Sequence, residues 1–166
     1  MSQWYVLQTK VRHEVIAVQN LSNQSFETFL PMLCTRQSRK GILSPACEPL
    51  FPGYLFIKLD LERQNTAPIR STRGVIRLVR LGATLQAFPE KLLNSLRQEQ
   101  ERGNGAIDPA TVFVPGEDVQ LISGPLAGMK AIFKARNSQE RVVLLLNVLG
   151  NETQVSVSPN LIKKVS

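Results

Sequence analysis

The sequence predicts an α+β fold, a sheet with helices packed on it, followed by a small β-barrel. Three observations carry this. The first 100 residues alternate strand-like and helix-like stretches. Residues 99–105, Glu-Gln-Glu-Arg-Gly-Asn-Gly, make a polar break in which two glycines disfavour order. The remainder is a set of short apolar stretches separated by turn residues.

Taken in order, Trp4-Tyr5-Val6-Leu7-Gln8-Thr9 is aromatic and β-branched and predicts a strand. Val11, Val15, Val18 and Leu21 recur at spacings of 4, 3 and 3, one face of a helix. Ser25 to Leu30 restarts extended structure, and the basic stretch from Cys34 to Ser44 predicts a hairpin or a mobile loop. A long extended segment is expected over Pro49–Leu61, and another strand over Val75–Val79. Pro89 suits a first helical position and opens a helix carrying Leu92, Leu93 and Leu96, which stops near Gly103. The domain boundaries expected are 1–100, a linker at 101–113, and a second unit at 114–166 marked by Pro115-Gly116, Gly124-Pro125 and Gly150-Asn151. Val142-Val143 in that unit favours strand over helix.

At 166 residues, folding should bury about 70% of the extended chain's surface, enough for a real core. Apolar residues are 43% and charged residues 20%, which excludes a disordered tail. No apolar run approaches the roughly 18 residues of a membrane span, and the first residues lack the basic region of a secretory leader. Cys34 and Cys47 cannot make a disulfide framework, so a reducing, cytoplasmic setting is the expectation, with both thiols as small buried apolar groups. The net charge of +7 is uneven: residues 1–100 hold 13 Lys+Arg against 7 Asp+Glu, and residues 101–166 hold 7 against 6. A basic first part suggests that this part faces a polyanion, although a basic surface also simply aids solubility.

Catalytic apparatus is missing from the pattern. His13 is the one histidine and sits among charged residues at a helix start, a poor place for a desolvated base. The cysteines lack further metal ligands, no phosphate loop or dinucleotide fingerprint is present, and the acidic residues are scattered. The reading is a binding protein, not an enzyme, with no cofactor and no metal.

The stretch Glu48 to Leu59 is apolar on both faces of a strand: Phe51, Leu55, Ile57 and Leu59 on one, Leu50, Tyr54 and Phe56 on the other, ending in Lys58. Either it is a central strand covered twice, or the second face is a docking surface with aromatic anchors. Three basic groups accompany it: Lys10, Arg12 and His13 at a helix start, Arg36, Arg39 and Lys40, and Arg70, Arg73, Arg77 and Arg80, with no acidic side chain between Glu62 and Glu90. Thr72-Arg73-Gly74 reads as an exposed tip able to reach a phosphate or a base. Each run is also open to the plainer reading of a solvated face.

Pro49-Leu50-Phe51-Pro52-Gly53-Tyr54-Leu55-Phe56, then Ser71-Thr72-Arg73-Gly74-Val75 and Phe88-Pro89, and then the stretch from Pro115 to Gly128, which looks like a KOW signature, resemble the NusG family of transcription elongation factors. Trp4-Tyr5 fits as well. Glu48, Gln24, Asp108-Pro109-Ala110-Thr111, Lys130-Ala131-Ile132-Phe133 and Leu144-Leu145-Leu146-Asn147 look most like its specialised RfaH branch. The resemblance implies an N-terminal NGN-type α/β sandwich and a C-terminal KOW domain that is a β-barrel, or an α-hairpin docked on the first domain in a masked state. It implies a monomeric factor that binds RNA polymerase through Tyr54 and Phe56, with Thr66 retained from a polar contact across the cleft, and suppresses pausing and termination. Contact with the non-template DNA strand would fall to Lys10, Gln24, Thr72 and Arg73, and the basic helix start adds Arg12 and His13 to the expected DNA-binding set. A small-subunit ribosomal protein is the partner implied for the second domain. Masking would bring Phe51 and Leu96 against Phe133 and Leu145, with a Glu48–Arg141 ion pair beside them. The competing readings are a general housekeeping factor of the family, or an RNA- or ribosome-binding KOW protein with no polymerase role.

Overall fold

Period-two alternation in the first strand sends alternate side chains to opposite sides of a sheet, and both sets are apolar, so the sheet must be covered on each side. A computed structural model describes residues 1–103, 105–107, 132 and 137–150, and among them this is the arrangement observed. The strands and helices in chain order are β1 (Gln3–Thr9), α1 (Glu14–Asn23), β2 (Glu27–Phe29), β3 (Met32–Arg39), β4 (Ile42–Pro49), β5 (Tyr54–Leu59), α2 (Ala67–Arg70), β6 (Val75–Leu78), β7 (Arg80–Leu81), β8 (Thr84–Leu85), α3 (Glu90–Arg102) and α4 (Ser138–Gly150). The fold is α+β.

The main sheet is antiparallel with order β2-β5-β1-β6, while β3-β4 and β7-β8 are separate hairpins. In the central pair, Tyr5 faces Ile57 and Leu7 faces Leu55; this side packs against Ala17 and Leu21 of α1 and Ile69 of α2. Val6 faces Phe56 on the other side, which packs with Trp4 against Phe88 and the α3 residues Leu92, Leu93 and Leu96, and against Leu144, Leu145, Val148 and Leu149 of α4.

Several expectations are corrected. The helix near residue 11 begins only at Glu14, because Arg12 takes a left-handed φ of +70°. Val11 and Val15 consequently stay exposed, and the buried face is Glu14, Ala17 and Leu21. Glu14 is buried with a partner, since its carboxylate accepts the Gly53 N–H at 3.3 Å. The segment from Pro49 to Leu61 is not continuously extended. A turn closed by the Tyr54 N–H to the Phe51 carbonyl, with Gly53 at φ +83°, separates β4 from β5. That turn resets the alternation, so Phe51 joins Phe56 in one cluster and not Leu55 and Ile57 in the other.

The basic stretch is a hairpin, as one of the two expectations had it. Its tip, Lys40-Gly41, has φ values of +53° and +78°, and a turn with two left-handed residues matches the natural twist of paired strands. The two cysteines face each other across it and are joined as a disulfide, contrary to the expected pair of buried thiols. Local pattern does not reveal this, because the pairing depends on hairpin register.

Residues 138–150 are helical where Val142-Val143 suggests strand. Asn137 caps the helix, accepting the Glu140 N–H on its side-chain oxygen at 2.9 Å. Arg141, Leu144, Leu145, Val148 and Leu149 then fall on one face and are all buried, and this burial outweighs a local strand preference of a few tenths of a kcal/mol per residue. Of the stretch expected as a linker, Ile107 is fully buried and extends the edge of β3: its N–H donates to the Met32 carbonyl at 2.7 Å, and its own carbonyl accepts the Cys34 N–H at 2.9 Å. The KOW-like stretch from Pro115 to Gly128 lies outside the described residues. Among the described residues no helix is long and apolar enough to cross a membrane.

Candidate functional site

The aromatic side of the sheet is a four-ring cluster. Phe56 lies 6.0 Å from Phe29 in a stacked arrangement, 6.1 Å from Phe51 edge-on, and 4.6 Å from Phe88. Phe56 is fully buried, and Tyr54, two residues earlier on the same side, is half-buried. The doubly covered strand is thus the arrangement present, and Phe56 does not face solvent as drawn from a docking strand. Among the described residues, α3 and α4 contribute much of the cluster around it, with Phe88, Ile107 and Ile132.

The α4 part is pinned by charge. The Arg141 Nη2 donates to Glu48 Oε1 at 2.7 Å, and its Nε donates to the Leu50 carbonyl, also at 2.7 Å. The Arg141 side chain is 7% exposed and Glu48 55%, so the guanidinium is desolvated while the carboxylate keeps much of its water. Such a pair contributes modestly to net stability, but deleting the carboxylate would leave a buried cation with the Leu50 carbonyl as its partner among the described residues. Phe51, Leu96 and Leu145 are fully buried in the same cluster, around this pair. Phe133 lies outside the described residues; its neighbour Ile132 is buried in the cluster.

The six residues considered for DNA contact gather along α1. The Lys10 N–H donates to the Gly74 carbonyl at 2.9 Å, which sets Lys10 beside Arg73. Gly74 has φ +90°, and a Cβ there would meet the His13 carbonyl at 3.0 Å and the Ala17 nitrogen at 3.2 Å. Only glycine lets the 72–74 segment approach the helix start so closely. Lys10, Arg12, His13, Gln24 and Arg73 are exposed. Thr72 is not the exposed tip expected: it is 7% exposed, its hydroxyl donates to the Pro68 carbonyl at 2.9 Å and accepts from Gln24 Nε2 at 2.8 Å. Its role in this geometry is to hold Gln24.

Thr66 precedes the short α2, its carbonyl accepting the Ile69 N–H at 3.1 Å. It lines an open basin of about 530 Å³ with Arg70, Arg77 and Arg80. Sequence reasoning missed Arg97, whose guanidinium lies 5.6 Å from the Trp4 ring centre and 6.0 Å from that of Phe29, capping the aromatic side. Its signal was available, one turn beyond Leu93 on the same helix. Among the described residues no group of His, Cys, Asp and Glu could hold a metal ion.

Residues 2–97 match the family model described as "Transcription termination factor nusG". Among curated relatives, the transcription termination/antitermination protein NusG of Thermus thermophilus is 28% identical, the alignment covering 93% of this chain and 94% of that protein. The NusG protein of Helicobacter pylori is 25% identical over 99% of each, and that of Chlamydia trachomatis 23% identical over 93% of this chain and 90% of its own. These relatives are transcription factors, not enzymes. A solved structure described as "Domain interaction in Thermotoga maritima NusG" overlays on 75% of each chain at 18% identity with a TM-score of 0.42, a likeness too loose to argue from. With the family model spanning 96 of its 166 residues, the chain belongs to the NusG family of transcription termination and antitermination factors.

Proposed function

We propose that this chain is a transcription elongation and antitermination factor of the RfaH type, which docks on RNA polymerase through the aromatic side of β5 after α4 has moved off it. The observation that carries the reading is the packing of Phe51, Phe56 and Leu96 in one cluster with a separate helix, which Arg141 clasps to Glu48 and to the Leu50 carbonyl. A large aromatic face left open would bind promiscuously; a cover formed by a separate, non-covalently seated helix can be exchanged for a partner. Tyr54 and Phe56 then serve as anchors on one side of the polymerase cleft and Thr66 touches the other. Action is stoichiometric: one molecule bridges two polymerase modules, and the second contact gains from the effective concentration set by the first. Lys10, Arg12, His13, Gln24 and Arg73, with Thr72 behind Gln24, contact the non-template DNA strand. Residues 1–100 form the polymerase-binding domain, 101–113 the linker, and 114–166 a KOW domain that recruits a small-subunit ribosomal protein in the cytoplasm. The protein acts as a monomer.

The test is binding to stalled elongation complexes. Glu48→Ala should bind more tightly than the parent chain, because the cover is loosened. Tyr54→Ala, chosen because Tyr54 is half-buried and its loss should leave the fold intact, should weaken binding about 30-fold, the loss typical of an interface anchor. Unchanged affinity for Tyr54→Ala would remove the docking face from consideration.

A further inference from the structure

The β3–β4 hairpin carries a chemical feature that transcription-factor activity does not use. Cys34 and Cys47 occupy directly opposed positions in its ladder, with Cα atoms 4.0 Å apart. The Cys34 N–H points away from β4, donating to the Ile107 carbonyl. The pair is therefore of the non-hydrogen-bonded kind, in which opposed side chains approach most closely. Cys47 is exposed and Cys34 half-buried, so Cys47 is the more accessible residue of the two to small thiols and disulfides in solution.

The two strands joined here are also the ones that hold the C-terminal segment. Glu48, next to Cys47, accepts the Arg141 guanidinium, and Cys34 itself donates to Ile107. We propose that Cys34 and Cys47 form a reversible thiol–disulfide site, exchanged with low-molecular-weight disulfides of the glutathione class, and that closing it tightens the seat of α4.

The chemistry balances. The Cys47 thiolate attacks a sulfur of the small disulfide, forms a mixed disulfide and expels one small thiolate. The Cys34 thiolate then attacks the Cys47 sulfur, forms the intramolecular bond and expels the second. Two electrons pass from the cysteines to the small disulfide, and the two thiol protons end on the two released thiols. Disulfides of this kind inside cells are typically transient and redox-sensing. Closing it fixes the positions of residues 34 and 47 against each other and so limits the motions that would separate Glu48 from Arg141 or Ile107 from β3.

Two measurements on the full chain decide the matter, and neither involves polymerase, so the proposal stands or falls apart from the docking reading. In the first, protein is equilibrated over a series of reduced-to-oxidised glutathione ratios, quenched in acid, alkylated and weighed. Both thiols should vanish together, with loss of two hydrogens and no glutathione added. Cys34→Ser should trap glutathione on Cys47, and Cys47→Ser should take up far less on Cys34. Independent alkylation of the two thiols, or stable glutathione on the parent chain in place of the internal bond, overturns the site. In the second, amide hydrogen exchange is followed over residues 138–150. Exchange should be several-fold slower in the oxidised than in the reduced chain, with the Cys34→Ser/Cys47→Ser chain matching the reduced one under both conditions. Equal exchange in the oxidised and reduced parent overturns the link to α4, as does a redox response in the double variant.

Discussion

Asp60 shows how one side chain can tie the fold to pH. Burial pushes its carboxyl up, but the Glu62 N–H at 3.1 Å, the Met1 ammonium at 3.4 Å and Arg63 at 3.9 Å more than offset this, and it titrates below the usual carboxylate range. Its charge in turn adds to burial in pushing the Tyr5 hydroxyl above its ordinary value. The folded state thus favours ionised Asp60 more than the unfolded chain does. That preference stabilises the protein above the unfolded pKa of about 3.9 and is lost as pH falls below it through the folded value. Denaturant titrations of the parent and of Asp60→Asn should therefore differ at pH 7 and converge near pH 2. A constant gap across that range would show that the carboxylate's charge contributes nothing.

At the level of the element, α4 is the clearest case of structure set by burial. Its sequence contains adjacent β-branched residues, yet it forms a capped helix because one face meets the aromatic side of the sheet. The faces should respond differently to truncation. Leu145→Ala, at a fully buried site, should cost about 2–5 kcal/mol. Val143→Ala, at a site 57% exposed, should stay within about 0.5 kcal/mol. Asn137→Ala should cost about 1 kcal/mol through the lost cap. Urea unfolding measures all three, and equal losses at 143 and 145 would mean that α4 does not hold this face against the sheet.

At the scale of the molecule, the described residues bury two apolar clusters, one on each side of the main sheet, and these are built differently. The cluster around Tyr5, Leu7 and Ile57 is closed by elements adjacent in sequence, α1 and α2. The other is closed in part by α3 and in part by residues more than 80 positions away from Phe51 and Phe56. Removing residues 108–166 should accordingly leave the sheet, α1 and α3 folded while opening the aromatic side. A chain of residues 1–107 should keep its strand and helix signal by circular dichroism and bind a hydrophobic dye more strongly than the full chain. Equal dye binding would mean that α3 alone seals the cluster.

The sequence alone determined what depends on neighbours along the chain. The α3 leucines at 92, 93 and 96, the helix stop at Gly103 and the strand at Trp4–Thr9 follow from periodicity and backbone preference, which act over a few residues, whereas the stretch from Cys34 to Ser44 stayed open between a hairpin and a mobile loop. The family motif around Tyr54 and Phe56 was equally legible, since it is a contiguous string of residues. Only the tertiary structure decided that Phe51 shares a side with Phe56, that Cys34 meets Cys47, that Glu14 is buried on Gly53, and that residues 138–150 are a helix lying on the sheet. Each of these turns on contacts between distant segments, where burial and register outweigh the small local preferences that a sequence pattern records.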